Sequence, residues 1–142
     1  MIRPLTKADV AQILTVEKAS FQDPWTENMF LDSFDSNFFF GFVCEEAGEM
    51  LGYICGDAIY EDAQLMSVAT APAHRKKGVA RELIAAFEKE CKKRGAQGCF
   101  LEVRVSNIPA STLYQSVGYA PIGLRKRYYQ DGEDAIVMQK IL

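Results

Sequence analysis

Two short stretches carry residues whose types and spacing could do chemistry. In the first, Arg75-Lys76-Lys77-Gly78-Val79-Ala80, three cationic side chains precede a glycine at the start of a helical pattern. A helix N-terminus presents unpaired N–H groups and the positive end of the helix dipole, and glycine lets a ligand approach the backbone closely. The stretch therefore predicts an anion-binding loop. A solvated basic turn is the alternative, and the spacing fits neither a Walker A loop nor a GxGxxG fingerprint.

The second stretch is the strand-like run GCFLEVRVSN, residues 98–107. Alternation along a strand places Phe100, Glu102 and Arg104 on one face and the apolar Leu101 and Val103 on the other. A carboxylate in an otherwise apolar strand could accept a proton as a general base. It could also form a structural ion pair with Arg104 or another basic residue. These residues alone leave both interpretations of Glu102 open.

The elements that would position these residues follow from hydrophobic periodicity and turn signals. Apolar spacing predicts helices near residues 7–19 and 78–94, a short helix capped by Thr26, and another that begins after Ser106 or Asn107. Strand-like runs cover residues 38–46, 50–60, 63–70, 98–107, 118–130 and 133–142. The order ααβββαβαββ, with short polar links between the first three strands, predicts an α+β fold around one mixed, mostly antiparallel sheet. We expect residues 1–142 to form one domain.

Composition narrows the classes of function. The formal net charge is −3, so no global basic field favours direct nucleic-acid binding. No apolar run reaches the ~20 residues of a membrane span, and the polar N-terminus is unlike a secretory signal, which predicts a cytoplasmic protein. The four cysteines form no C-x-x-C pair and are expected to be small buried hydrophobes. His74 is the only histidine, so a histidine metal site or a Ser-His-Asp triad has little support, and no metal is expected.

Three motifs resemble one known family. The loop beginning at Arg75 resembles the Arg/Gln-x-x-Gly-x-Gly/Ala pyrophosphate-binding pattern of GCN5-related N-acetyltransferases (GNAT), with Ala80 where Gly is commoner. The stretch LEVRVSNIPASTLYQSVGY, residues 101–119, resembles the signature of the ribosomal-protein-alanine N-acetyltransferase (RimI) family. The later stretch RKRYYQDGEDAIVM, residues 125–138, is similar to the C-terminal motif of that family. The resemblance covers nearly the whole chain.

The resemblance implies acetyl transfer from acetyl-CoA to an amine. It implies Glu102 as general base and Tyr114 as the acid that protonates the leaving thiolate. It also implies that the strand containing Val68 diverges from its neighbour and offers backbone N–H groups. The residues that it places at acetyl-CoA are the backbone of Val68, Ala69 and Thr70, the loop residues Lys76, Lys77, Gly78, Val79, Ala80 and Arg81, and Asn107.

The acceptor implied by the resemblance is the N-terminal alanine of a small-subunit ribosomal protein. Alternatives are diverse peptide N-termini, a small amine, or a non-catalytic acetyl-CoA-binding partner subunit. Trp25, Tyr128 and Tyr129 could contact a peptide or could simply pack. The acidic turn at Asp131, Glu133 and Asp134 is expected to be solvated. The sequence does not indicate an oligomeric state.

Overall fold

The computed structural model describes residues 1–142 as four α-helices and seven strands. The helices are α1 (Val10–Ser20), α2 (Glu27–Ser33), α3 (Val79–Lys93) and α4 (Ile108–Ser116). The strands are β1 (Ile2–Pro4), β2 (Phe39–Glu46), β3 (Glu49–Ile59), β4 (Asp62–Thr70), β5 (Gly98–Arg104), β6 (Ala120–Arg125) and β7 (Ala135–Ile141).

All seven strands form one sheet in the order β1-β2-β3-β4-β5-β7-β6. Only the β4–β5 pair is parallel; the other pairs are antiparallel. The predicted α+β fold with a mixed, mostly antiparallel sheet is therefore confirmed. The predicted order lacked β1, because three residues are too few to show an alternating pattern. Pairing of Ile2 with Cys44 of β2, rather than local sequence, defines that strand.

The sheet is covered on both faces. On one face α3 and α4 pack over a core that includes Leu83, Phe87 and Leu101. On the other face α1 and α2 pack over a second core that includes Ile13 and Phe30. Leu101 and Val103 of β5 belong to the α3 side, so Phe100, Glu102 and Arg104 face the side of α1 and α2.

Two irregularities open the sheet at its centre. A bulge at Met66 shifts the β3–β4 register: Cys55 pairs with Ser67, but Gly56 pairs with Leu65. The parallel β4–β5 ladder covers only residues 62–64 of β4 and 98–100 of β5, although both strands continue beyond it. The two strands therefore diverge toward Thr70 and Arg104, as the sequence resemblance implied.

The sixth strand is shorter than the sequence pattern predicts. β6 ends at Arg125, whereas the strand-like run continued through Tyr128 and Tyr129. These tyrosines instead lie in the connection to β7, where Tyr129 N–H donates to the backbone carbonyl of Glu133 (3.2 Å). Local turn hydrogen bonds, which alternation of apolar residues does not reveal, end the strand.

Candidate active site

The gap between β4 and β5 exposes backbone donors on β4. In an antiparallel pair, successive residues direct their N–H groups to opposite edges of the strand. The N–H of Ala71 donates to the carbonyl of Leu51 on β3 (2.8 Å), so the N–H of Ala69 also points to β3. The N–H groups of Val68 and Thr70 therefore point to the gap. The Thr70 carbonyl on that edge accepts only a long hydrogen bond from Arg75 (3.4 Å). Of the three predicted backbone contacts on β4, Val68 and Thr70 are the two that direct N–H groups to the gap.

The predicted anion-binding loop forms the N-terminus of α3. The backbone N–H groups from Lys76 to Arg81 donate to no acceptor within the protein, and no side chain caps the helix. Gly78 at the N-cap has φ 81°, a left-handed conformation that favours glycine, and a Cβ built on it would meet no atom within 4 Å. Lys76 and Lys77 are exposed, while the side chain of Val79 is buried in the core. Unpaired N–H groups beside exposed cations fit a pyrophosphate.

Arg75, the first residue of the loop motif, turns away from these N–H groups. Besides Thr70, its guanidinium contacts the Ser20 hydroxyl at the end of α1 (3.3 Å). His74 binds Glu49 (2.9 Å) and Lys77 (3.5 Å). These contacts hold the loop against β3, β4 and α1, and none of them uses the backbone N–H groups of residues 76–81.

Glu102 lies two residues beyond the end of the β4–β5 ladder. Its Oε2 accepts a hydrogen bond from the Gln64 amide (2.8 Å), and its Oε1 lies 3.3 Å from Nε of Arg125. The side chain is only 13% exposed. The ion pair that the sequence left open thus exists, but its basic partner is Arg125 rather than Arg104. A carboxylate held by two donors has little freedom to rotate, which suits a positioned base.

Arg104 connects two segments beside Glu102. Its guanidinium binds Asp23, in the α1–α2 connection, at 3.1 Å and Glu133, before β7, at 2.8 Å. Asp131 lies 2.9 Å away, and the Tyr129 ring centroid is 4.1 Å from the guanidinium carbon. The acidic turn, which was expected to be solvated, is thus also ion-paired through Asp131 and Glu133, although the Asp131 side chain remains 50% exposed.

Tyr114 lies on α4, on the same side of the sheet as α3. Its ring packs on the α3-side core, 6.1 Å from the ring of Tyr119. Its hydroxyl has no hydrogen-bond partner in the protein, yet it is not sealed from solvent. Burial and, second, the neighbouring Tyr129 phenol raise the pKa of Tyr114, so the phenol stays protonated at neutral pH. It is therefore available as a proton donor.

Asn107 serves as the N-cap of α4. Its Oδ1 accepts the N–H of Ala110 (3.2 Å), which is the capping role that such a residue ordinarily has. Its amide N–H groups donate to no protein atom and remain free for a ligand.

Sequence reasoning missed three residues that complete the site. Gln64 and Arg125 hold Glu102, and Asp23 binds Arg104. No local pattern marks them, because each contact joins distant parts of the chain. Knowledge that Gln64 pairs with Phe100 in the parallel ladder would have placed Gln64 near Glu102, but the sequence alone does not show this pairing.

A helix N-terminus with unpaired N–H groups, diverging central strands and a candidate base at their divergence are the features expected of an acetyltransferase-type site. The family model of the acetyltransferase (GNAT) family matches residues 10–119. The chain belongs to this family and is an acyltransferase.

Named relatives show which members of this family the chain resembles. The ribosomal protein bS18-alanine N-acetyltransferase of Escherichia coli (strain K12) is 31% identical over 96% of this chain and 94% of its own length. A Bacillus subtilis (strain 168) protein with the same activity in its name is 36% identical over 96% of this chain and 92% of its own length. The predicted resemblance to ribosomal-protein-alanine N-acetyltransferases is thereby confirmed.

Solved structures agree with this placement. The crystal structure of the ribosomal-protein-S18-alanine N-acetyltransferase from Escherichia coli superposes with a TM-score of 0.91 and 30% identity, covering 99% of this chain and 92% of the other. The structure of Ard1 from Thermoplasma volcanium gives 0.91 at 25% identity, with 100% and 97% covered. None of the helices is long and apolar enough to span a membrane.

Proposed function

We propose that this chain transfers an acetyl group from acetyl-CoA to the N-terminal α-amine of a protein in the cytoplasm, with the N-terminal alanine of ribosomal protein bS18 as acceptor. Residues 1–142 act as one N-acetyltransferase domain. The bS18-alanine activity in the names of two relatives supports the acceptor. The observation that carries the chemistry is the position of Glu102, held by Gln64 where β4 and β5 separate.

The loop at the N-terminus of α3 (the α3 loop, residues 75–81) and the edge of β4 that faces the gap would hold acetyl-CoA. The unpaired N–H groups from Lys76 to Arg81 would bind the pyrophosphate, with the exposed Lys76 and Lys77 adding charge. The free amide of Asn107 would contact the same molecule. The N–H groups of Val68 and Thr70 in the gap would bind the acetyl carbonyl oxygen and stabilise the charge that develops on it.

Glu102 and Tyr114 would move the protons of the reaction. An α-amine has a pKa of about 7.7–8.0 and must lose a proton before it attacks. Glu102 takes that proton, directly or through one water, and the nitrogen bonds to the thioester carbonyl carbon. The C–S bond then breaks, and Tyr114 gives its proton to the thiolate.

A panel of synthetic peptides tests the function. Peptides with free N-termini, varied at the first residues, are incubated with the protein and acetyl-CoA, and acetylation is located by mass spectrometry. We expect acetylation of the α-amine, fastest on the bS18 N-terminal sequence, and thiol release only when peptide is present. An Nα-blocked peptide with a free lysine should be a poor acceptor. Equal rates on blocked and free peptides would instead identify a lysine acetyltransferase.

A further inference from the structure

One buried carboxylate has no role in the proposed chemistry. Glu17, in the last turn of α1, is 1% exposed and has no cationic partner. Two other buried acidic residues do have one, since Asp9 pairs with Arg3 and Glu88 with Lys140. A buried charge without a cation is strongly destabilising unless hydrogen-bond donors replace water around it.

Three donors from three parts of the chain surround Glu17. Its Oε1 accepts from the hydroxyls of Tyr53 on β3 and of Ser67 on β4, the latter at 2.7 Å. Its Oε2 accepts from the backbone N–H of Trp25 at 3.0 Å. Burial and, second, the Glu17 charge raise the pKa of Tyr53 well above its ordinary value, so the phenol remains a donor. A carboxylate suits this position because, when ionised, it only accepts.

Both ends of the segment Phe21–Trp25 are attached to this one residue. The backbone carbonyl of Glu17 accepts the N–H of Phe21 (2.9 Å), and its carboxylate accepts the N–H of Trp25. Between these attachments, Asp23 reaches Arg104, two residues from Glu102 on the same face of β5. The segment is therefore held beside the candidate base, by Glu17 in the core and by Arg104 at the surface.

Glu17 also contacts β4, the strand that borders the gap. Ser67 follows the bulge at Met66 and directly precedes Val68, whose N–H faces the gap. The bulge turns Ser67 toward α1, since without it this position would face α3. One carboxylate thus joins the strand expected to contact the acetyl group to the segment beside the base.

We propose that Glu17 is a positioning residue that fixes the segment Phe21–Trp25 as one wall of the acceptor entrance and thereby sets acceptor affinity. The proposal rests on the proposed function, because it concerns the amine that approaches Glu102. The half-buried ring of Trp25, which packs 4.8 Å from the ring of Phe30, forms part of this wall. A role limited to core stability is the competing explanation.

Glu17→Met separates these explanations, because it keeps the length and approximate volume of the side chain and offers no oxygen to the N–H of Trp25. The hydroxyls of Tyr53 and Ser67 lie 3.0 Å apart and can still bond each other, so the attachment of the segment breaks while β3 and β4 stay joined. Glu17→Gln is the matched control: its amide oxygen accepts from Trp25 while its NH2 donates to the two hydroxyls, which accept as well as donate. Glu46→Met, at an exposed site, controls for the loss of charge.

The expected result is a change in acceptor binding. Trp25 is the only tryptophan, so its emission reports on the segment alone. In Glu17→Met its quenching by acrylamide should increase, and the acceptor KM should rise on the order of tenfold, the effect of losing a hydrogen bond to a charged group, whereas Glu17→Gln should keep both near the wild-type values. The Kd for acetyl-CoA and kcat should stay near the wild-type values. A lower Tm with unchanged quenching and unchanged acceptor KM would overturn the proposal, as would an equal loss of acetyl-CoA affinity.

Measurements on the wild type decide the question even if the variant does not fold. The Trp25 amide should exchange with solvent more slowly than the amides of Gln22 and Asp23, and a bound acceptor should reduce acrylamide quenching of Trp25. Equal exchange rates, or quenching that the acceptor leaves unchanged, would refute the proposal. If the wild type acetylates no peptide, the proposed function is wrong instead. The amine that the protein does acetylate then serves as the acceptor in these measurements.

Discussion

The Gln64 amide donates a 2.8 Å hydrogen bond to Glu102 at the last paired position of β4 and β5. Gln64 pairs with Phe100, and its side chain reaches two residues along β5. Arg125 contacts the other carboxylate oxygen at 3.3 Å from a side chain that is 57% exposed. One firm donor and one solvated cation therefore hold the carboxylate.

Gln64→Leu should lower kcat without weakening acetyl-CoA binding. The substitution keeps the approximate volume and removes only the donor that fixes Glu102. A hydrogen bond to a charged group contributes about 1.5–3 kcal/mol, so a loss of roughly tenfold or more in kcat is expected. Initial rates and calorimetric titration with acetyl-CoA measure the two effects. Gln12→Leu, at an exposed position of α1, is the control, and equal rates in both variants would exclude a role for Gln64.

Glu102→Gln should keep the fold and acetyl-CoA affinity but lower turnover by the ~10²–10⁴-fold typical of a general base. The defect should shrink as pH rises through the amine pKa of about 7.7–8.0, because more acceptor is then neutral without help. Rates across this pH range test the prediction. The exposed Glu61→Gln is the control, and unchanged turnover at every pH would remove Glu102 from the mechanism.

The sequence predicted the sheet and the α3 loop because their signals are local. Alternation in β5 correctly placed Glu102 opposite Leu101, and the motif ending at Ala80 marked a helix N-terminus with free N–H groups. The partners of Glu102 and Arg104 could not be predicted from the sequence, because a parallel ladder, a bulge and two loops bring them together. Which carboxylate binds which guanidinium depends on distances that a periodic pattern does not encode.

Gly78→Val should weaken acetyl-CoA binding far more than Lys76→Ala. A β-branched residue is strained at φ 81°, and its side chain would occupy the open space beside the free N–H groups. Lys76 is exposed, and a single exposed charge contributes only about 0–1 kcal/mol. Calorimetry on both variants measures the contrast, with circular dichroism to confirm folding. Equal losses of affinity would mean that side-chain charge, rather than the backbone, binds the cofactor.

Arg104→Gln should loosen the link between the α1–α2 connection and the segment before β7. Hydrogen bonds from the Ser106 side chain, from Arg104 and from the Ser106 backbone N–H lower the pKa of Glu133, so its stabilising contribution is present above its unfolded pKa of about 4.5 and is lost as pH falls through the lower folded pKa. The variant should therefore lose more thermal stability near pH 7 than near pH 4, and its acceptor KM should rise. An identical drop in Tm at both pH values would show that the pairing with carboxylates is unimportant.

Tyr114→Phe distinguishes a catalytic acid from a packing aromatic. The substitution keeps the ring, which packs beside Tyr119, and deletes a hydroxyl that binds no protein atom. Loss of a hydroxyl that satisfies a buried group would cost roughly 1–3 kcal/mol, but here no such group is left unpaired, so Tm should change little. Turnover should fall while acetyl-CoA affinity is kept, and by less than in Glu102→Gln. A thiolate with a pKa near ~8.5 is only a moderately poor leaving group, so it needs the acid less than the amine needs the base.

Tyr60→Phe, in the exposed β3–β4 turn, is the matched control. Unchanged turnover in Tyr114→Phe would leave solvent as the proton source for the thiolate.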